Sequence, residues 1–171
     1  MKRCLLLLFI VVMSVGLLAG CAPKQWNTFE DFVADFQDAP DPSTVKGLLS
    51  GYKVNQTSAE VAENFSFDNL KVWNNEWEGH IYSSTDEYMS NVGVGLWKGF
   101  EKQEDRDAFY KSVSDQLTAE FGEGNPVYDD DGNEGLEWSI NDNNLRLSQY
   151  QAENKYTVAI NYMSYVSKSM D

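Results

Sequence analysis

Few residues of this 171-residue chain are of a type that does chemistry. Its one histidine, His80, lies in an alternating stretch beside Ile81, and the nearest serines, Ser83 and Ser84, read as part of a turn. Nucleophilic hydrolysis needs a histidine base set against a nucleophile, commonly raised on a Gly-x-Ser-x-Gly elbow, and no such elbow occurs. His80 therefore reads as a structural or surface histidine. Zinc needs three or four nitrogen or sulfur ligands, which one histidine and two early cysteines do not supply. Phosphate-binding loops, dinucleotide fingerprints and basic patches are likewise missing from the sequence.

Two acidic constellations and a set of tryptophans remain. In Asp129-Asp130-Asp131-Gly132-Asn133-Glu134, aligning Gly132 with the sixth position of a calcium loop puts Asp129 and Asp131 at positions three and five. Val127 and Trp138 then fall where an Asp and a bidentate Glu belong, so the segment reads as a solvated hairpin turn. Asp129, Asp131 and Glu134 are left as a weak calcium candidate. Glu76 and Glu78 share a strand face at the short end of the roughly 5–10 Å used by paired glycosidase carboxyls. With 27 acidic residues in the chain, such a pair is expected by chance. Trp73, Trp77 and Trp97 are the candidate ligand-facing aromatics, suited to stacking on sugar rings. No catalytic residue, resident metal or cofactor is assigned.

The N-terminus carries a sharper pattern. Met1-Lys2-Arg3-Cys4 is followed by an apolar run from Leu5 to Leu18, then Leu18-Ala19-Gly20-Cys21. A basic start, a short apolar run and a small-residue cleavage site are the parts of a signal peptide, and fourteen residues fall short of a membrane-spanning helix. The last four residues resemble the lipobox of bacterial lipoproteins. That resemblance covers residues 1–21 and implies cleavage of 1–20 by signal peptidase II, lipid (diacylglyceryl, often with an added palmitate-type chain) on Cys21, and anchorage in the cell envelope. Ala22, a non-aspartate after the cysteine, resembles outer-membrane sorting if the host is Gram-negative. The mature chain then has no free thiol.

With Lys2 and Arg3 removed, eleven basic residues face twenty-seven acidic ones, a net charge of about −16. That balance argues against nucleic acid and anionic lipid as partners; it allows a basic envelope protein or a cation, and it equally serves solubility and mutual repulsion at the cell surface. The expected function is a lipid-anchored, non-catalytic lipoprotein that binds a protein or envelope component, with an inhibitor or immunity-type protein as the sharper version. The alternative is a glycan- or peptidoglycan-binding (or hydrolysing) module using tryptophan and carboxylate.

The elements that would position these residues form one α+β domain over 27–171, behind a lipidated cysteine and tether at 21–26. Phe29, Phe32, Val33 and Phe36 give one helical stripe, predicting a helix over about 28–38 that is capped by Asn27 or Thr28. Ser43–Ser50 predicts a second, short helix, and 58–64 a helical turn. Leu70–Trp73 and Glu76–Tyr82 predict a hairpin, with Ser83–Asp86 turning the chain. Val92, Val94 and Leu96 alternate with Gly93, Gly95 and Gly99, a bare face expected against a packed helix. Phe109, Val113, Leu117 and Phe121 mark a central helix at about 103–121. Strand and turn signals follow to the end, with Asp131-Gly132 as a two-residue hairpin turn. Six to seven antiparallel strands are expected in all. A faint echo between Asn75-Glu76-Trp77-Glu78 and Gly135-Leu136-Glu137-Trp138 suggests an internal repeat.

Overall fold

A computed structural model describes residues 22–58, 62–73, 75–152 and 154–167. Residues 1–21, on which the expected signal peptide and lipidated Cys21 fall, lie outside them. The fold is α+β, with three helices and one antiparallel sheet of eight strands among the described residues. The helices are α1 (Phe29–Phe36), α2 (Pro42–Leu48) and α3 (Gln103–Phe121). The strands are β1 (Val54–Ser58), β2 (Ala62–Val72), β3 (Asn75–Thr85), β4 (Met89–Phe100), β5 (Asn125–Tyr128), β6 (Glu134–Ile140), β7 (Asn143–Ala152) and β8 (Lys155–Ser167).

The first half of the chain runs two helices and the second half one helix, each followed by a four-stranded meander, and β4 pairs with β8 to give the order β1-β2-β3-β4-β8-β7-β6-β5. The echo is thus architectural. The two matching segments fall on the third strand of one half and the second of the other, so they are not equivalent positions.

Local chemistry explains the elements. Thr28 caps α1 by accepting from the Asp31 N–H at 3.0 Å, and Asp41 caps α2 by accepting from the Ser43 and Thr44 N–H groups, with Pro42 at the first helical position. In α3, Val113 and Leu117 are buried, while Phe109 and Phe121 pack at the margin of the core. Asn141 (φ 50°) and Asp142 (φ 64°) both adopt left-handed backbone, the two-residue turn that matches hairpin twist.

Several boundaries differ from expectation. Ser58 and Ala62–Asn64 are strand where a helical turn over 58–64 was expected, and 59–61 lie outside the described residues; β1 is a polar edge strand, paired Thr57 to Asn64, and carries almost no apolar signal. Ser83–Thr85 continue β3, and Asp86 makes the turn by accepting from the Tyr88 and Met89 N–H groups. The β5–β6 connection spans 129–133 rather than two residues.

The core lies between the helices and one face of the sheet. Phe65, Trp77, Ile81, Val92, Val94, Leu96, Leu145, Leu147, Ile160 and Tyr162 point into it. Two buried serines fasten the α1–α2 connection to that face: Ser83 Oγ donates to the Pro40 carbonyl at 2.8 Å and Ser164 Oγ to the Gln37 carbonyl at 2.5 Å. Trp26 is already part of the domain. It is 1% exposed, exchanges backbone hydrogen bonds with Lys71 and Trp73, and its indole N–H donates to Asp35 at 2.6 Å. Lys24 is held too, by an ion pair to Asp35 at 2.5 Å and by the Tyr52 hydroxyl donating to its carbonyl. Contacts with the domain therefore begin at Lys24, three residues before the start expected at 27.

Candidate functional site

Successive residues of a strand point to opposite faces, so the register fixes what the second face of the sheet displays. Its ladder rows read Asn64–Tyr82–Gly93–Met163–Asn144, then Ser66–His80–Gly95–Asn161–Arg146, then Glu78–Trp97–Ala159–Ser148, then Gly99–Thr157–Tyr150. The helices contact the other face, through such pairs as Trp77 with Phe109. Among the described residues no helix covers this one.

The glycine-lined face of β4 was expected under a helix and instead belongs to this open side. The physical reason is on the other side of the strand: Val92, Val94 and Leu96 are the residues that need burial. The glycines are roofed by long side chains from neighbouring strands. A Cβ on Gly93 would sit 3.0 Å from Met163 Sδ, and one on Gly95 3.1 Å from the His80 ring. His80 is exposed and lies against the Trp97 ring, centroids 5.6 Å apart. It is a surface residue that shields backbone.

Two of the three tryptophans singled out as ligand-facing are structural. Trp77 is fully buried. Trp73 is nearly so, and its indole N–H donates to Glu120 Oε1 at 2.7 Å. Glu120 Oε2 also accepts from the Glu30 N–H at 2.8 Å, so one carboxylate of α3 joins α1 and the β2–β3 turn. Alternation predicts Trp77's burial: Glu76 and Glu78 point out, so the residue between them points in. Trp97 is the tryptophan left partly exposed, on the open face, with its N–H donating to Glu78 Oε2 at 3.2 Å.

The calcium candidate resolves into a self-capped turn. Asp129 accepts from the Asp131 N–H at 3.1 Å, the Asn133 N–H at 2.7 Å and Asn133 Nδ2 at 2.8 Å. The Asn133 hydrogen bonds, first the side-chain amide and then the backbone, hold its carboxyl below the usual aspartate range. Three of its roughly four lone pairs are taken by the turn, and Asp131 and Glu134 do not form a metal-holding group with it. Among the described residues no group of three or more His, Cys, Asp or Glu is placed to hold a metal ion.

Sequence reasoning missed the most distinctive surface. Six of the seven large apolar side chains exposed among the described residues gather at one end of the sheet: Tyr82, Tyr88 (59% exposed), Met89, Met163, Tyr165 (55%) and Val166. Tyr82, Met89, Met163 and Tyr165 share the open face, Tyr88 sits on the Asp86-capped turn, and Val166 follows at the end of β8. Their rim is acidic. Asp86 and Glu87 precede Tyr88, and Asp38 and Asp142 line a cavity of about 420 Å³ together with Tyr165 and Val166. The described residues sharing those ladder positions and that cavity include no lysine or arginine. The alternation around Tyr82 and Met163 was readable, but only the β4–β8 pairing brings them together.

Among the described residues no helix is long and apolar enough to cross a membrane. No known family model, curated protein or solved structure matches the chain.

Proposed function

We propose that this is a lipid-anchored, non-catalytic protein of the bacterial cell envelope, which binds a cationic envelope protein through the apolar, acidic-rimmed end of its open sheet face. The observation that carries the reading is the gathering of Tyr82, Tyr88, Met89, Met163 and Tyr165 beside Asp38, Asp86, Glu87 and Asp142. Isolated exposed apolar residues are ordinary, whereas a contiguous patch with a polar rim is the usual form of a protein-binding site, and tyrosine and methionine are enriched there. The acidic rim and the net charge of about −16 in the mature chain select a basic partner and speed its approach. An inhibitor or immunity-type role, in which the partner's cationic surface is occluded, fits this chemistry.

The anchor sets where such binding happens. Counting from Cys21, Lys24 is only three residues on, so lipid and folded domain are separated by about 10 Å of chain. The anchored side carries Lys24, Tyr52 and Lys71. Lys71 pairs across from Glu76, which lies six residues along β3 from Tyr82, so the patch stands about 20 Å away along the strands. Capture from envelope extract at low and high salt tests the reading. Retention of basic proteins that high salt releases, with loss of those proteins in a Tyr82→Asp/Met163→Asp variant, is expected. Recovery of the same proteins by both forms, or of acidic proteins only, contradicts it.

A further inference from the structure

The other end of the open face holds a second site, and it does not depend on the reading above. A trough of about 700 Å³ runs there, lined by Glu78, Trp97, Gly99, Tyr150, Lys155 and Thr157 among others. A smaller cavity of about 260 Å³, which also touches Glu78, Trp97 and Gly99, continues it toward the β2 bulge at Asp68 and Asn69.

The register explains why a trough forms. Trp97 on β4 and Tyr150 on β7 stand two strands apart, about 10 Å across the sheet. The positions between and beside them are small: Gly99, Thr157 and Ala159. Two aromatic walls thus rise from a floor that lacks bulky side chains. Trp97 is oriented by its hydrogen bond to Glu78, so the indole edge is engaged. Polar groups of both kinds surround the walls: the Glu78 carboxylate, the Asn154 amide, the Thr157 hydroxyl and the Lys155 ammonium.

We infer that this trough binds a saccharide, the ligand class that presents both apolar C–H faces for aromatic walls and hydroxyls for mixed polar groups. A purely cationic ligand would meet Lys155, and a purely apolar one would desolvate the Glu78 carboxylate and the Asn154 amide while offering neither a new hydrogen bond. Pockets of 300–1,000 Å³ with a few convergent polar groups are of ligand-binding size.

The test is calorimetric titration of the full chain, in a detergent without a sugar headgroup, with a β-1,4 tetramer of N-acetylglucosamine and with cellotetraose. Saturable binding of at least one is expected, weakened about tenfold or more by Trp97→Ala and by Gly99→Val. The second variant fills the floor without touching the core, because the group nearest its Cβ, at 3.3 Å, is the flexible Lys155 side chain. Tyr82→Asp/Met163→Asp should leave sugar binding unchanged, and Gly99→Val should leave protein capture unchanged, which separates the two sites. Absence of heat with either sugar up to about 10 mM, or binding that Gly99→Val leaves intact, overturns the assignment.

Discussion

Trp97 donates its indole N–H to Glu78 across the β3–β4 pair, joining the chain's incompletely buried tryptophan to one of the two carboxylates that flank the fully buried one. Glu78→Ala frees that indole. Because Trp26, Trp73, Trp77 and Trp138 are all buried, the emission change and the gain in quenching by acrylamide should come from Trp97. Stability should fall by less than about 1 kcal/mol, since the pair is exposed.

Glu120 is expected to matter far more than an ordinary surface glutamate. It accepts from both the Trp73 indole and the Glu30 amide, so Glu120→Ala leaves a nearly buried indole N–H without its partner. A loss of about 1–3 kcal/mol in urea unfolding is predicted. Glu123→Ala, at an exposed position just beyond the same helix, serves as the control and should be near neutral.

The two buried serines make a third case. Ser83→Ala and Ser164→Ala each remove a donor to a carbonyl of the α1–α2 connection. Each should cost about 1 kcal/mol, and more if the carbonyl stays buried and unsatisfied. The serines sit on β3 and β8, with β4 between them, so the double variant tests whether the connection detaches as a unit through a loss greater than the sum of the two.

Asp129 gives a pH prediction. Its folded-state pKa lies below the ordinary aspartate value because Asn133 and Asp131 donate to the charged form. The contribution is therefore present above the unfolded value, near 3.8, and is lost as pH falls through the lower folded value. Asp129→Ala should lower Tm at pH 7 and leave it nearly unchanged at the acid end of that window. Calcium at about 1 mM, the range of weak extracellular sites, should not raise the Tm of the unaltered chain.

Much of the architecture was readable because it is written in local period. The four residues Phe109, Val113, Leu117 and Phe121 place α3 within its observed bounds, and the Leu136-Trp138-Ile140 and Tyr156–Tyr162 alternations place β6 and β8. What escaped was weakly apolar or non-local. The β1 strand, Val-Asn-Gln-Thr-Ser, is an exposed edge whose backbone pairing leaves little trace in side-chain type. By residue type alone Trp73 and Trp77 group with Trp97, although the Glu76-Trp77-Glu78 alternation assigns Trp77 to the core. The apolar patch depends on Met163 lying opposite Gly93, seventy positions away in sequence, and no local signal encodes that.

The proposed lipid anchor makes its own prediction. Cys21→Ala should abolish lipid labelling and release the protein from membranes, while continued lipidation would contradict the lipobox resemblance. Because Lys24 is fixed to Asp35 and Tyr52, inserting a flexible ten-residue linker after Pro23 should preserve anchorage and folding while increasing protease access to the chain before Trp26.

Site-specific photo-crosslinking asks directly where a partner sits. A photoreactive amino acid is placed at Tyr165 in the patch and, as a reference, at the exposed Lys111 of α3, and living cells are irradiated. The predicted result is a crosslinked product from position 165 to a protein rich in lysine and arginine, with none from position 111. Equal products from both positions, or an acidic partner at 165, would contradict a patch built for a cationic protein.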